Sequence, residues 1–152
     1  MERIYRVFDS NIFSAYKNHL TDQDIKKMAL SAVVFYELTA TKITSIKRRR
    51  WNQILDLHRA NQTLIIPTIN DWLNASRYVW LMHRNNESLS KDATALQNDV
   101  LICVSVAAFA ENTPLIITEN VKHFRIIADY INKNRRRSSK LVVQSAKEYF
   151  DL

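Results

Sequence analysis

The sequence contains no glycine, where average usage of about 7% would place roughly ten in a chain of this length. Every left-handed or tight-turn position must therefore be filled by another residue, and asparagine is the best substitute. We expect this role at Asn61, Asn85, Asn86, Asn112 and Asn134, where turns are predicted. The absence also excludes a P-loop and a glycine-rich dinucleotide fingerprint, so any phosphate chemistry must rely on side chains and metal.

Cysteine is nearly absent, and long apolar runs are missing. Cys103 stands alone in an apolar segment, so it has no partner for a disulfide within the chain and is expected to be buried as a small hydrophobe. No stretch reaches the roughly 18 to 20 consecutive apolar residues of a membrane span. The start, Met1-Glu2-Arg3-Ile4, lacks the layout of a signal peptide. We therefore expect a cytoplasmic protein without a membrane partner.

Positive charge is in excess: the net charge is +7 at pH 7 and the pI is near 9.7. A basic surface attracts polyanions, and nucleic acid is the commonest of them. Taken singly, each basic run is more often an ordinary solvated surface, and the charge of the whole molecule carries more weight. The candidate RNA contacts are the arginines of the two runs, namely Arg48, Arg49, Arg50, Arg135, Arg136 and Arg137.

The order of apolar segments predicts one α/β domain over residues 1–152. Short strands are expected at 4–8, 64–67, 115–117 and 141–143. Between them, helices are expected from 11 (capped by Ser10), over 22–44 with a break near Leu30, and over 46–59, 71–85 and 91–111. Ser145 and Glu148 have the spacing of a capping box and predict a short last helix. This alternation implies a central parallel sheet of four to five short strands, flanked by helices on both faces.

Polar residues follow two of the predicted strands, at the sheet edge where the active sites of such folds form. Phe8 is followed by Asp9-Ser10-Asn11, and Ile117 by Thr118-Glu119-Asn120. Two further carboxylates, Glu37 and Asp99, interrupt apolar helical segments. Either they point outward, or they are buried and then paired, protonated or bound to a cation.

A cluster of Asp9, Glu37 and Asp99 would have a definite chemistry. Mutual repulsion would raise at least one pKa sharply unless a cation intervened. Hard oxygen ligands select Mg²⁺ or Mn²⁺. Such ions activate water and neutralise the charge that builds up on a phosphodiester, alone or as a pair about 4 Å apart. Together with the basic surface, this indicates nucleic-acid hydrolysis.

The chain resembles PIN-domain nucleases, especially the VapC-type toxins of bacterial toxin–antitoxin pairs. The matching segments occur in the family's order and span nearly the whole chain: Val7-Phe8-Asp9-Ser10-Asn11-Ile12, residues 31–38 with Glu37-Leu38, Asn98-Asp99-Val100-Leu101-Ile102, and Leu115-Ile116-Ile117-Thr118-Glu119-Asn120 followed by Phe124. The resemblance implies a PIN-like fold with an acidic Mg²⁺ or Mn²⁺ pocket that cuts RNA.

Carried over by position, the resemblance makes Asp9, Glu37 and Asp99 the catalytic metal ligands. It implies that the pocket is lined by Ser10, Asn11, Thr118 and Asn120. The last of these is often Asp in the family, so the chain has one negative charge fewer there. The implied partners are an RNA substrate, a cognate antitoxin and a second copy of the chain in a homodimer.

Three functions remain open from the sequence. The first is a toxin endoribonuclease of a type II pair that inhibits translation. The second is a housekeeping RNA-processing nuclease. The third is a catalytically silent α/β module that binds RNA or protein, which the missing acid at Asn120 favours. The tryptophans are compatible with stacking on RNA or with an interface, but core or half-buried packing is the expected state of Trp51, Trp72 and Trp80.

Overall fold

The computed structural model describes residues 4–85, 87, 93–109, 113–135 and 140–152. The strands are β1 (Tyr5–Phe8), β2 (Leu30–Ser31), β3 (Leu64–Ile65), β4 (Pro114–Ile117) and β5 (Val142–Gln144). The helices are α1 (Ser10–Ala15), α2 (Asp22–Lys27), α3 (Ala32–Thr39), α4 (Ser45–Ala60), α5 (Ile69–Arg84), α6 (Ala93–Phe109), α7 (Val121–Asn134) and α8 (Ala146–Phe150). In the described ranges, no helix is long and apolar enough to cross a membrane.

The strands form a three-stranded parallel sheet in the order β1-β4-β5 and a two-stranded parallel ladder of β2 and β3. The Ala29 backbone N–H donates to the Arg6 carbonyl at 2.8 Å, which attaches the ladder to β1. The expected sheet of four to five strands is therefore a three-stranded sheet with a two-stranded extension. The chain continues from β1 toward β2, whereas β4 lies on the other side of β1, so the strand order reverses between β1 and β4.

Helices cover both faces of the sheet because side chains alternate along each strand. Val7 and Ile116, which are paired in register, join the larger apolar cluster with α5, α6 and α7. The next pair, Phe8 and Ile117, joins a second cluster on the opposite face, toward α1, α2 and α8. Helix α6 is buried nearly all round from Val100 to Ala107, as its apolar sequence predicts.

The predicted helix over 22–44 is broken near Leu30, as expected, but the break is a strand and the second helix ends at Thr39. Helix α2 ends at Lys27, and the chain runs extended through β2 before α3 begins. Met28, Ala29 and Leu30 are all buried, so the segment is held by tertiary contacts that a helical pattern does not reveal. The predicted last helix is confirmed, since the Ser145 hydroxyl accepts from the Glu148 N–H and the Glu148 carboxylate accepts from the Ser145 N–H.

The expected use of asparagine at left-handed positions is wrong where the structure tests it. Positive φ occurs instead at Gln62 and Asp151, both at 56°. Asn61 has φ of −83° because it closes the end of α4, and the left-handed turn falls one residue later. Among the other positions, Asn85 has φ of −85° at the end of α5, Asn134 lies inside α7, and Asn86 and Asn112 lie outside the described residues.

Candidate active site

The carboxyl ends of β1 and β4 deliver Asp9 and Thr118 to the same point. Phe8 and Ile117 are paired in register, so the residues that follow them leave the sheet side by side. The Thr118 hydroxyl donates to Asp9 Oδ2 at 2.8 Å, and both side chains are buried. This edge lies where the strand order reverses, which is the usual ligand-binding position in open parallel sheets.

The Asp9 carboxylate is fixed at both oxygens. Its Oδ1 accepts from the Ser10 backbone N–H at 2.8 Å, while Thr118 binds Oδ2. Asp9 is therefore the residue that caps α1, and the expectation that Ser10 is the cap is wrong. The extended backbone of Asp9 allows its side chain to turn back onto the helix start, as N-cap residues do.

The other polar positions expected at the pocket gather around Thr118. Asn11 Nδ2 donates to Thr118 Oγ1 at 3.5 Å, and Asn11 Oδ1 accepts from the Glu119 N–H at 3.3 Å. The Asn120 N–H also donates to Thr118 Oγ1, at 3.0 Å. Thr118 thus connects the start of α1 with the segment after β4. The Asn120 side chain turns aside, with Nδ2 2.8 Å from His123 Nδ1.

Glu37 reaches the same region from α3 and is half-buried. Asn98 Nδ2 donates to its Oε1 at 3.2 Å, whereas its Oε2 is buried and accepts no hydrogen bond from any residue that the structure describes. Asn98 was not predicted as a site residue. Its sequence signal is its position directly before Asp99, at the polar beginning of an otherwise apolar helix.

The three carboxyl groups interact electrostatically. Burial raises the pKa of Asp9, and hydrogen bonds from Thr118 and Ser10 offset part of this increase. Burial also raises the pKa of Glu37, and the charge of Asp9 raises it further. The neighbouring Ser10 side chain and the Asn98 amide offset part of this increase. Asp99 is affected most: burial, followed by the charges of Asp9 and Glu37, raises its pKa to about 8. These carboxyl groups from β1, α3 and α6 therefore lie near enough to repel one another.

The donor set fits a hard divalent cation. It consists of carboxylate oxygens, and Glu37 Oε2 is a buried acceptor without a donor in the described part of the chain. Among the described residues, however, no group of three His, Cys, Asp or Glu side chains is already arranged to hold a metal ion. Repulsion among the three acids disfavours their closure around one point when no cation is bound.

No family model and no curated protein matches the sequence. The fold is similar to that of a chain in the VapBC-1 structure from nontypeable Haemophilus influenzae. The two chains are 16% identical and superpose with a TM-score of 0.52, over 93% of this chain and 97% of the other. At this identity the likeness to VapBC-1 is a likeness of fold.

Of the six candidate RNA-binding arginines, the structure places three on α4 and one at the end of α7. Arg49 and its neighbours are exposed on the first turns of α4. Arg48 Nη1 donates to the Thr39 carbonyl at 3.0 Å, and Arg50 lies 3.8 Å from the Asp22 carboxylate. Arg135 is half-buried at the end of α7. Arg136 and Arg137 lie outside the described residues.

Two expectations about other side chains have clear outcomes. Cys103 is buried, as predicted, and burial raises the pKa of its thiol well above the ordinary value, so it remains protonated and is a poor nucleophile.

Trp51 is half-buried, which confirms the prediction that it packs in or against the core. For Trp72 and Trp80 that interpretation is wrong, because they are 60% and 58% exposed on α5.

Proposed function

We propose that the protein is a divalent-metal-dependent endoribonuclease and acts as the toxin of a type II toxin–antitoxin pair. The observation that carries the proposal is the group of Asp9, Glu37 and Asp99, in which burial, followed by the charges of the other two acids, raises the Asp99 pKa to about 8. A buried set of mutually repelling acids costs stability, and cation binding is the common reason to keep one. The chain's excess positive charge supports a polyanionic substrate.

In this proposal Asp9, Glu37 and Asp99 hold Mg²⁺ or Mn²⁺. When bound, such an ion supplies an activated water and positive charge that stabilises the phosphodiester transition state. Thr118 and the Ser10 N–H fix the orientation of Asp9. Asn98 binds Glu37 through Oε1 and leaves Oε2 available for the ion or for the proton of the attacking water.

The partners follow from the sequence resemblance, and the similar structure supports the antitoxin among them. That structure is of VapBC-1, which agrees with a toxin that is paired with a cognate antitoxin. The proposal therefore includes an antitoxin partner and a homodimer, and translation would stop because the released toxin cuts RNA. A housekeeping RNA-processing nuclease would use the same site, and an antitoxin reading frame directly beside the gene separates the two.

A catalytically silent RNA- or protein-binding module is the second candidate. The observations that favour it are Asn120 in place of an acid and the lack, among the described side chains, of three ligands already closed around one point. A silent module has no need of buried, mutually repelling acids. The raised Asp99 pKa therefore favours the nuclease.

The test is cleavage of total RNA by purified, antitoxin-free protein, with Mn²⁺ or with a chelator. Asp9→Asn and Asp99→Asn are the site variants, and Asp56→Asn, an exposed acid on α4, is the matched control. We expect cleavage only with metal, by the wild type and the control. Equal cleavage by the site variants would identify a contaminating nuclease and reject the site. Tight RNA binding without cleavage by any folded protein would establish the silent module.

A further inference from the structure

A groove of about 420 Å³ lies between α1, α2 and α4. Its apolar lining includes Phe13, Leu20, Trp51 and Ile54. Trp51 makes an edge-to-face contact with Phe13, with the ring centroids 5.0 Å apart and the planes at 84°. This contact fixes the orientation of an indole ring that is only half-buried. The groove therefore offers a preorganised aromatic surface.

The rim of the groove is cationic. Lys17, Lys47 and Arg50 line it, and Asp22 is the one acid among its described lining residues. Arg50 and Asp22 are 3.8 Å apart with both side chains mostly exposed, and an ion pair of that kind contributes at most about 1 kcal/mol. Arg50 can thus be released to an incoming phosphate. An aromatic floor with a cationic rim is complementary to a nucleotide.

The groove and the acid cluster share helix α1, which Asp9 caps and whose residues Phe13 and Ser14 line the groove. Ser14 lines the groove, and Ser10, four residues earlier on the same helix face, gives its N–H to Asp9. Four residues of α-helix rise about 6 Å. A strand that enters the acid cluster therefore reaches the groove with a neighbouring nucleotide.

We propose that this groove is a substrate subsite: an unpaired RNA base stacks on Trp51 while Lys17 and Lys47 bind the adjacent phosphate. The choice of RNA as the ligand rests on the proposed function. The groove would favour single-stranded substrate, because a paired base must first be unpaired and unstacked, at a cost of a few kcal/mol. It also gives the basic run on α4 a specific place in substrate binding.

The test measures binding of a fluorescent single-stranded RNA of about 10 nucleotides by fluorescence anisotropy, in the presence of chelator. All proteins carry Asp9→Asn so that the RNA survives. The rim variants are Lys17→Gln and Lys47→Gln, and Lys27→Gln is the control, because Lys27 is exposed on α2 outside the groove. Each rim variant should weaken binding several-fold and reduce the magnitude of the salt slope by about 0.7, and the control should do neither.

The aromatic floor is tested with Trp51→Leu and Trp51→Phe, after circular dichroism establishes that both are folded. Loss of the ring should weaken binding about 5- to 100-fold without changing the salt slope, whereas Trp51→Phe should retain most of the affinity. Wild-type affinity in both Lys47→Gln and Trp51→Leu would overturn the subsite. So would RNA binding that persists in these variants while binding of an acidic peptide is lost, since the groove would then be a protein-docking site.

The subsite and the proposed function fail in different ways. Cleavage by the wild type together with unaffected binding by the groove variants rejects the subsite alone. Weakened binding by the groove variants, with a wild type that never cleaves, supports the subsite and rejects the nuclease.

Discussion

The Thr118 hydroxyl donates a 2.8 Å hydrogen bond to Asp9 Oδ2 across 109 positions of sequence. The bond joins the carboxyl ends of β1 and β4, and both partners are buried. Thr118 Oγ1 also accepts from the Asn120 N–H and from Asn11 Nδ2. One hydroxyl therefore fixes the orientation of the central carboxylate and of the residues that flank it.

Thr118→Val should lower both stability and cleavage. The isosteric methyl group cannot donate, so Asp9 Oδ2 and the Asn120 N–H lose a partner, at a cost of about 1–3 kcal/mol. Urea unfolding measures the first effect, and the cleavage rate under conditions where the protein is fully folded measures the second. Thr118→Ser retains the hydroxyl and is the control. Full cleavage by Thr118→Val would show that the bond contributes only to the fold.

Asp99→Asn should stabilise the metal-free protein at alkaline pH. The folded-state pKa of Asp99 is about 8, whereas the unfolded value is near 3.9. The unfolded chain therefore releases this proton first as pH rises, and the wild type loses stability between about pH 4 and about pH 8. Asparagine does not titrate and so does not lose stability in this way. The free energy of unfolding of the variant should therefore exceed that of the wild type by about 2–5 kcal/mol at about pH 9 and by little at about pH 4.

Urea unfolding at the two pH values, in chelator, gives the free-energy difference between Asp99→Asn and the wild type. Asp56→Asn, which replaces an exposed acid on α4, is the matched control. Saturating Mn²⁺ should reverse the order, since a ligand that binds only the folded state stabilises it and the variant has lost a ligand group. A difference that is the same at both pH values would mean that Asp99 is not held in a repulsive cluster.

The sequence pattern was sufficient for α4, α5 and α6 and for β1 and β4, but it did not predict α7. It failed at β2, where two paired residues are too few to show a period and buried neighbours decide the conformation. The acids were identified as candidates from their positions after a strand or in apolar helices. Their electrostatic coupling depends on how α3 and α6 pack against β1, and this depends on contacts that spacing does not encode. Asn98, which binds Glu37, was missed for the same reason.

His58 should make the protein less stable in mild acid. The ring is buried, its Nδ1 lies 2.7 Å from Thr63 Oγ1, and burial lowers its pKa, which the Ile25 backbone offsets only in part. Because the folded pKa lies below the unfolded value near 6.5, this contribution is complete above about pH 6.5 and is lost as pH falls toward the folded pKa. His58→Asn should flatten the free energy of unfolding over that range. An unchanged slope in the variant would assign the acid sensitivity to other groups.

Asn120→Asp should bind Mn²⁺ more tightly and should raise the pKa of His123. Asn120 Nδ2 lies 2.8 Å from His123 Nδ1, and burial, together with the charge of Lys122, lowers the pKa of that histidine. A carboxylate at this position stabilises the imidazolium by about 1 kcal/mol or more, and it adds a negative charge beside the acid cluster, which increases affinity for a divalent ion. Proton NMR gives the His123 titration and calorimetry gives the Mn²⁺ affinity, with Asn120→Ser as the uncharged control. A raised His123 pKa with unchanged Mn²⁺ affinity would show that position 120 faces away from the acids and has no part in metal binding.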